Sequence, residues 1–186
     1  YPALSSFKYE YNLAITPTID GRHNKFIFNN DNYFKNDIKE SFNALLAEEA
    51  RSTNAFATIT PISINVPFDP TSTQIQELKR SLGKDAILIS KLNKFNVNIQ
   101  KLSDKDKSSY VSLKLFADIT YKIILADSET VMFLSTKETS ETKVVKNDDE
   151  IYKHINNMAV LAVKNNLAAA RKEFLLTTKG LTSNEK

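Results

Sequence analysis

The spacing of hydrophobic positions changes along the chain, and each change marks a new element. Asn12 to Pro17 is a short apolar run suited to a buried strand that ends at the proline. Asp20-Gly21 reads as a turn, and Phe26-Ile27-Phe28 as a short strand or an apolar flap over the core. Phe34, Ile38, Phe42 and Leu45 then recur every three or four residues, which places them on one face of a first helix capped by Asp31 or Asn32. Lys35, Asn36, Lys39 and Asn43 lie largely away from that face. Ala55 to Val66 is rich in Thr, Ile, Phe and Val and predicts one strand, with Pro61 as an edge or bend. A short second helix follows. Thr73 and Gln76 have capping-box spacing, Ile75, Leu78 and Leu82 form its stripe, and Gly83 is placed to end it in the left-handed conformation.

Beyond Gly83 the period becomes two. Ala86-Ile87-Leu88-Ile89 is apolar on both faces, after which Phe95, Val97 and Ile99 alternate with Lys94, Asn96 and Asn98. Ser103 to Ser109 is a polar hairpin loop. Val111, Leu113, Leu115, Ala117, Ile119, Tyr121, Ile123 and Leu125 share one face of the next strand, with Ser112, Lys114, Asp118, Thr120 and Lys122 on the other. Ala126 to Glu129 makes a turn, and Val131 to Val145 returns as a Thr- and Ser-rich strand, so the three strands read as an antiparallel meander. A long helix over about 148–176 closes the pattern. Asn147 and Glu150 have capping-box spacing, Ile151, Ile155, Met158 and Ala162 form one stripe, and Val160, Val163, Leu167, Ala170 and Phe174 form a neighbouring one. The expected fold is therefore α/β of the α+β kind: a mixed, mainly antiparallel sheet whose meander packs against the first helix and the long carboxy-terminal one. Residues 1–11 read as an arm or tether, 12–176 as a single domain and 177–186 as a frayed tail.

Composition narrows the function by exclusion. The 186 residues suffice for one core without metals or disulfides. The 25 basic residues are interspersed with 22 acidic ones, which gives no clustered footprint for nucleic acid. With no Cys, disulfides, thiol nucleophiles and thiolate metal sites are out of reach. The three glycines, Gly21, Gly83 and Gly180, stand far apart, so no phosphate-cradling loop can be assembled. His23 and His154 have neither a nucleophile elbow nor a partner His four residues on. The pairs Glu48-Glu49 and Asp148-Asp149 point about 100° apart on a helix and converge on no common atom. Asp104 and Asp106 alternate with lysines and lack the Gly and terminal Glu of a calcium loop. No apolar run approaches the ~20 residues of a membrane span. No catalytic residue, cofactor or metal ligand is expected, and the chain reads as a binding protein rather than an enzyme. A chain that starts at Tyr1 is expected to have had its amino terminus processed.

Two surfaces stand out. Phe7, Tyr9 and Tyr11, with Tyr1, could add a strand to a sheet edge, either this molecule's own or a partner's. The second is the polar face of the meander. The passage Lys84 to Leu92, and the hairpin of Val111–Leu125, Asp127-Ser128-Glu129-Thr130 and Val131–Thr142, resemble segments of small bacterial envelope lipoproteins. These are the penicillin-binding-protein activator, curli-secretion, YajG-type and transport-auxiliary lipoproteins, with a fold like the amino-terminal domain of TolB. The hairpin turn here lacks the glycine usual in that group. The resemblance implies a lipid anchor on a cysteine ahead of Tyr1, a place in the periplasm at the outer membrane, and a protein partner in the envelope. It also implies docking through a sheet edge or the wet face, with Lys114, Asp118, Thr120 and Lys122 on one strand and Thr136, Glu138 and Ser140 on the next as the residues to test. The exposed edge strand invites a homo-oligomer without requiring one. The alternative is a carrier that encloses a lipid or another apolar ligand between the sheet and the long helix.

Overall fold

The computed structural model describes residues 9–22, 37–102 and 109–184, with side chains for 10–22, 42–102 and 109–177. The elements follow one another as β1 (Tyr9–Ile15), β2 (Ile19–Asp20), α1 (Asp37–Ser52), β3 (Phe56–Pro61), α2 (Ser72–Leu82), β4 (Ala86–Lys101), β5 (Tyr110–Leu125), β6 (Val131–Lys146) and α3 (Ile151–Asn184). They build the expected α+β fold: one six-stranded sheet in the order β3-β1-β4-β5-β6, with β2 beside β4. β1 runs parallel to both β3 and β4, and β4, β5 and β6 form the antiparallel meander.

Topology explains why the two short helices sit on different faces. The connection from β1 through α1 to β3 and the return from β3 through α2 to β4 cross the sheet in opposite directions. If both are right-handed, the helices must lie on opposite faces. Burial follows that rule. On one face α1 and α3 cover a large core that includes Leu13, Phe42, Leu46, Tyr121, Ile155 and Leu167. On the other face α2 covers a small core of Val66, Ile75, Leu78, Ile87, Ile89, Ile124 and Ala126. Ala86 to Ile89, apolar on both sides, is the segment caught between the two cores.

Helix lengths decide how much of each face is covered. β4, β5 and β6 have 16 residues each, which at ~3.3 Å per residue is about 53 Å. α3 has 34 residues, about 51 Å at 1.5 Å per residue, and so runs the length of the meander. α2 has 11 residues, only about 16 Å. Among the described residues, the second face of the meander is therefore covered at the α2 end and open beyond it.

Several local expectations shift. The capping box of α2 is Thr71 with Gln74 rather than Thr73 with Gln76: Gln74 N–H donates to Thr71 Oγ1 and Thr71 N–H to Gln74 Oε1. Both pairs share the same spacing, and only the backbone decides between them. Gly83 does end α2 in the left-handed region, at φ 65°. α3 begins at Ile151, with Asp148 Oδ1 accepting from Glu150 N–H, in place of an Asn147–Glu150 box. It continues to Asn184, into the residues expected to fray. Val160 is exposed instead of belonging to the second stripe, while Val163, Leu167, Ala170 and Phe174 are buried. β3 stops at Pro61, shorter than the predicted run to Val66. Gly21 is not at a turn with positive φ. Its N–H donates to Leu92 O, and an added Cβ would lie 2.6 Å from Lys91 Cε and 3.1 Å from Leu92 O, so the glycine permits close approach to β4. The Phe26–Phe28 segment, the caps Asp31 and Asn32, the side chains of Phe34 and Ile38, and the loop carboxylates Asp104 and Asp106 lie outside the described residues.

Candidate interaction face

The open half of the second face is a grid whose rows follow the strand register. Lys91, Thr120 and Thr136 form one row, and Lys94, Asp118 and Glu138 the next. Asn96, Phe116 and Ser140 follow, then Asn98, Lys114 and Thr142. Period-two alternation places these side chains on one face because their neighbours Leu115, Ala117 and Ile119 are buried under α3. Asn93 sits at a register irregularity between Leu92 and Lys94, and its Nδ2 donates to Asp118 Oδ1 (3.1 Å) and Thr120 Oγ1 (2.8 Å). Thr120 and Thr136 hydroxyls lie 2.8 Å apart. Asp118 and Glu138 stand directly opposite each other, a like-charge pair that disfavours the bare strand pairing and favours a cationic neighbour.

Most of the sequence-derived face is thus brought together: Lys114, Asp118, Thr120, Thr136, Glu138 and Ser140 share it. Lys122 does not belong to the wet part. It is buried, donating to Phe68 O (3.0 Å) and Asp69 Oδ1 (2.7 Å), with its Nζ 4.5 Å from the Phe68 ring centroid. Lys91 approaches the same ring at 5.6 Å. The segment between β3 and α2 folds over this end of the face, and alternation in β5 alone cannot report a strap arriving from elsewhere in the chain. Phe116, half-buried among amides, hydroxyls and charges with Lys114 Nζ 5.1 Å from its ring centroid, is the residue that sequence reading passed over. Its signal was available: an aromatic at an even position in a strand whose core residues are odd.

Of the aromatic arm, Phe7 and the side chain of Tyr9 lie outside the described residues. The backbone of Tyr9 is in β1, paired with Phe56 of β3. Tyr11 is half-buried against the large core. β1 is an interior strand, flanked by β3 and β4, so Tyr11 stands within this molecule's own sheet and not at an edge open to a partner.

The helix-covered face carries a polar centre of its own. Tyr121 Oη donates to Asn166 Oδ1 at 2.7 Å. Asn166, fully buried, donates in turn to Ala117 O (3.3 Å), Lys137 O (2.8 Å) and Thr139 Oγ1 (3.2 Å). Burial, with a contribution from the Glu49 charge, pushes the Tyr121 phenol well above its ordinary range. Glu173 accepts from Lys137 and Ser135, which hold its carboxyl below the usual carboxylate range. These groups fasten α3 to β5 and β6. Between α1, α3 and the sheet lies a cavity of about 50 Å³, lined by Leu46, Tyr121, Phe133, Leu167 and Phe174 among others. That volume takes a water-sized or methyl-sized group, whereas pockets for small organic ligands run to roughly 300–1,000 Å³.

Among the described residues no group of three or more His, Asp or Glu side chains could hold a metal ion, and no helix is long and apolar enough to cross a membrane. No protein-family model and no curated protein matches the chain. Solved structures do match. A homolog of neuraminyllactose-binding hemagglutinin from Helicobacter pylori superposes with a TM-score of 0.59 at 11% identity, covering 94% of this chain and 94% of that one. Protein XCC0632 from Xanthomonas campestris gives 0.58 at 8% identity over 96% and 91% of the two chains. The hypothetical protein CT253 from Chlamydia trachomatis gives 0.55 at 6% identity over 91% and 98%. At such identities the likeness is one of fold.

Proposed function

We propose that this chain is a non-catalytic protein of the bacterial cell envelope, of the lipoprotein type, which docks a protein partner on the open half of the meander's second face. The observation that carries the reading is the grid itself: α3 shields one side of the meander along its length, while α2 is only 11 residues long and no other described helix covers the rest of the other side. The bare part is not featureless. Phe116 offers an aromatic anchor, and the cationic Lys94 and Lys114 flank the anionic pair Asp118–Glu138. A partner that places apolar surface on the ring and a basic side chain over the carboxylates would satisfy both. The lipoprotein assignment is supported by the segments Lys84–Leu92 and Val111–Thr142 and by the shared fold of bacterial proteins. On this reading the domain lies in the periplasm, held at the outer membrane by an amino-terminal lipid.

The test is photo-crosslinking in the native envelope, with the full-length precursor carrying a photoreactive residue at Phe116 or, as control, at the exposed Lys164 of α3. The expected result is a defined adduct from position 116, absent from 164 and lost when Asp118→Lys and Glu138→Lys reverse the charge of the grid. Identical adducts from both positions, none at all, or adducts indifferent to the charge reversal would overturn the proposal.

A further inference from the structure

The sheet has two edges, and they differ in kind. β3 is a six-residue strand that ends on Pro61, a short and blunted edge. β6 is 16 residues long, contains no proline and, among the described residues, pairs only with β5, so no described strand lies along the other side of its backbone. Long bare edges of this sort template another strand. β6 also bears exposed apolar side chains on the face opposite α3: Leu134 is 57% exposed and Val144 56%.

The geometry points to a second copy of this chain as the occupant: we infer a two-fold dimer in which β6 pairs antiparallel with β6 of the partner, the axis passing at Thr139. The register follows from three constraints. In an antiparallel pair, backbone groups point outward at every second residue, and outward must meet outward on both copies. The axis must therefore pass at a residue and not between residues. Like charges must not face each other. An axis at Lys137, Glu138 or Glu141 would set that residue against its own copy, and an axis at Ser140 would set Lys137 against Lys143. Apolar surface should be covered. With the axis at Thr139, Leu134 falls opposite Val144 twice over, Lys137 opposite Glu141, Thr136 opposite Thr142 and Glu138 opposite Ser140. No like pair arises, and the exposed apolar residues on both arms of the strand meet.

The helix layer fits the same axis. Thr139 Oγ1 donates to Ala162 O at 3.0 Å, which fixes the level of α3 above the axis. Leu161, 48% exposed, is adjacent to Ala162 and one turn before Asn165. Asn165 donates to Glu141 of the edge strand, so this side of α3 faces the edge. Leu161 then lies near the axis and approaches its own copy as the two sheets join. The dimer makes one continuous twelve-stranded sheet from two six-stranded ones and sets the two polar faces side by side. It uses the edge, not the grid, so its failure and that of the docking proposal are separately visible.

The experiment uses the chain's freedom from cysteine. Sedimentation of the unmodified protein at micromolar concentration is expected to show a dimer, and a monomer overturns the inference. The double variant Leu134→Cys with Val144→Cys is expected to oxidise to a covalent dimer, while neither single variant does so. A single variant that crosslinks, or a double variant that fails to, overturns the register. Leu134→Lys is expected to give a folded monomer, and adding Val144→Glu is expected to restore the dimer by opposite charge. Circular dichroism that stays native in Leu134→Lys separates loss of pairing from loss of fold, and a folded Leu134→Lys dimer would refute the pairing.

Discussion

Replacing Asn166 by Leu removes the hub that joins α3 to β5 and β6 while keeping the branching and the number of side-chain heavy atoms. Two effects follow. The Tyr121 hydroxyl, buried and bonded to Asn166 Oδ1 at 2.7 Å, is left without that partner, and stranding a buried polar group costs about 1–3 kcal/mol. The donations from Asn166 to Lys137 O and Thr139 Oγ1 are lost as well, for roughly another 1 kcal/mol, since the strand carbonyls keep other partners. The expected loss is about 2–4 kcal/mol, which for a chain of this size is a fall in Tm of roughly 5–15 °C. Chemical denaturation of Asn166→Leu, Tyr121→Phe and the double variant measures both the loss and its origin. If the stranded hydroxyl is the cause, Tyr121→Phe recovers about 1–2 kcal/mol of it in the double variant, because both polar partners are then gone. A loss under about 0.5 kcal/mol, the size of an ordinary surface substitution, or strict additivity of the two changes, would refute the account.

The remaining predictions follow from local geometry. Tyr121 holds its proton in the fold above the ordinary phenol value of 10.0, so the unfolded chain ionises first. The associated stability is fully present below about pH 10 and is lost as pH rises further. Denaturation midpoints compared on either side of about pH 10 should show this alkaline loss, and Tyr121→Phe should lessen it. Gly83→Ala places a Cβ at φ 65° with nothing within 4 Å, so only the backbone objects. A loss of about 1 kcal/mol is expected in denaturation, and a smaller loss for Gly83→Asn.

The order of elements was legible because each rests on a local period. β5 alternates so regularly that its core face could be read residue by residue from Val111 to Ile123, and those residues are buried. Phe42, Val163, Leu167 and Phe174 declared themselves by helical spacing for the same reason. The end of α2 was legible too, since few residues other than Gly tolerate the left-handed conformation found at position 83. Where two local signals were equivalent, as with the capping boxes at Thr71 and Thr73, sequence had no means of choosing. The turn before β6 shows a further limit: Glu129 adopts φ 57° in place of a glycine, with its carboxylate bonded to Ser72 and Gln76 of α2.

What the sequence by itself determined was therefore the set of elements, their inward faces and the absence of cysteine and glycine-rich chemistry. These depend on neighbours within a few residues. The tertiary structure alone decided which polar residues are wet. Lys122 and Thr120 are both polar positions of β5 on its alternating face, yet Lys122 is buried under Phe68 and Asp69, 54 and 53 positions away, while Thr120 lies on the open grid. Asn166, which no local pattern marks, is the polar centre of the core because β5 and β6 arrive beneath it. Alternation reports which way a side chain points. Whether anything waits there is fixed by how far each helix reaches along the strands.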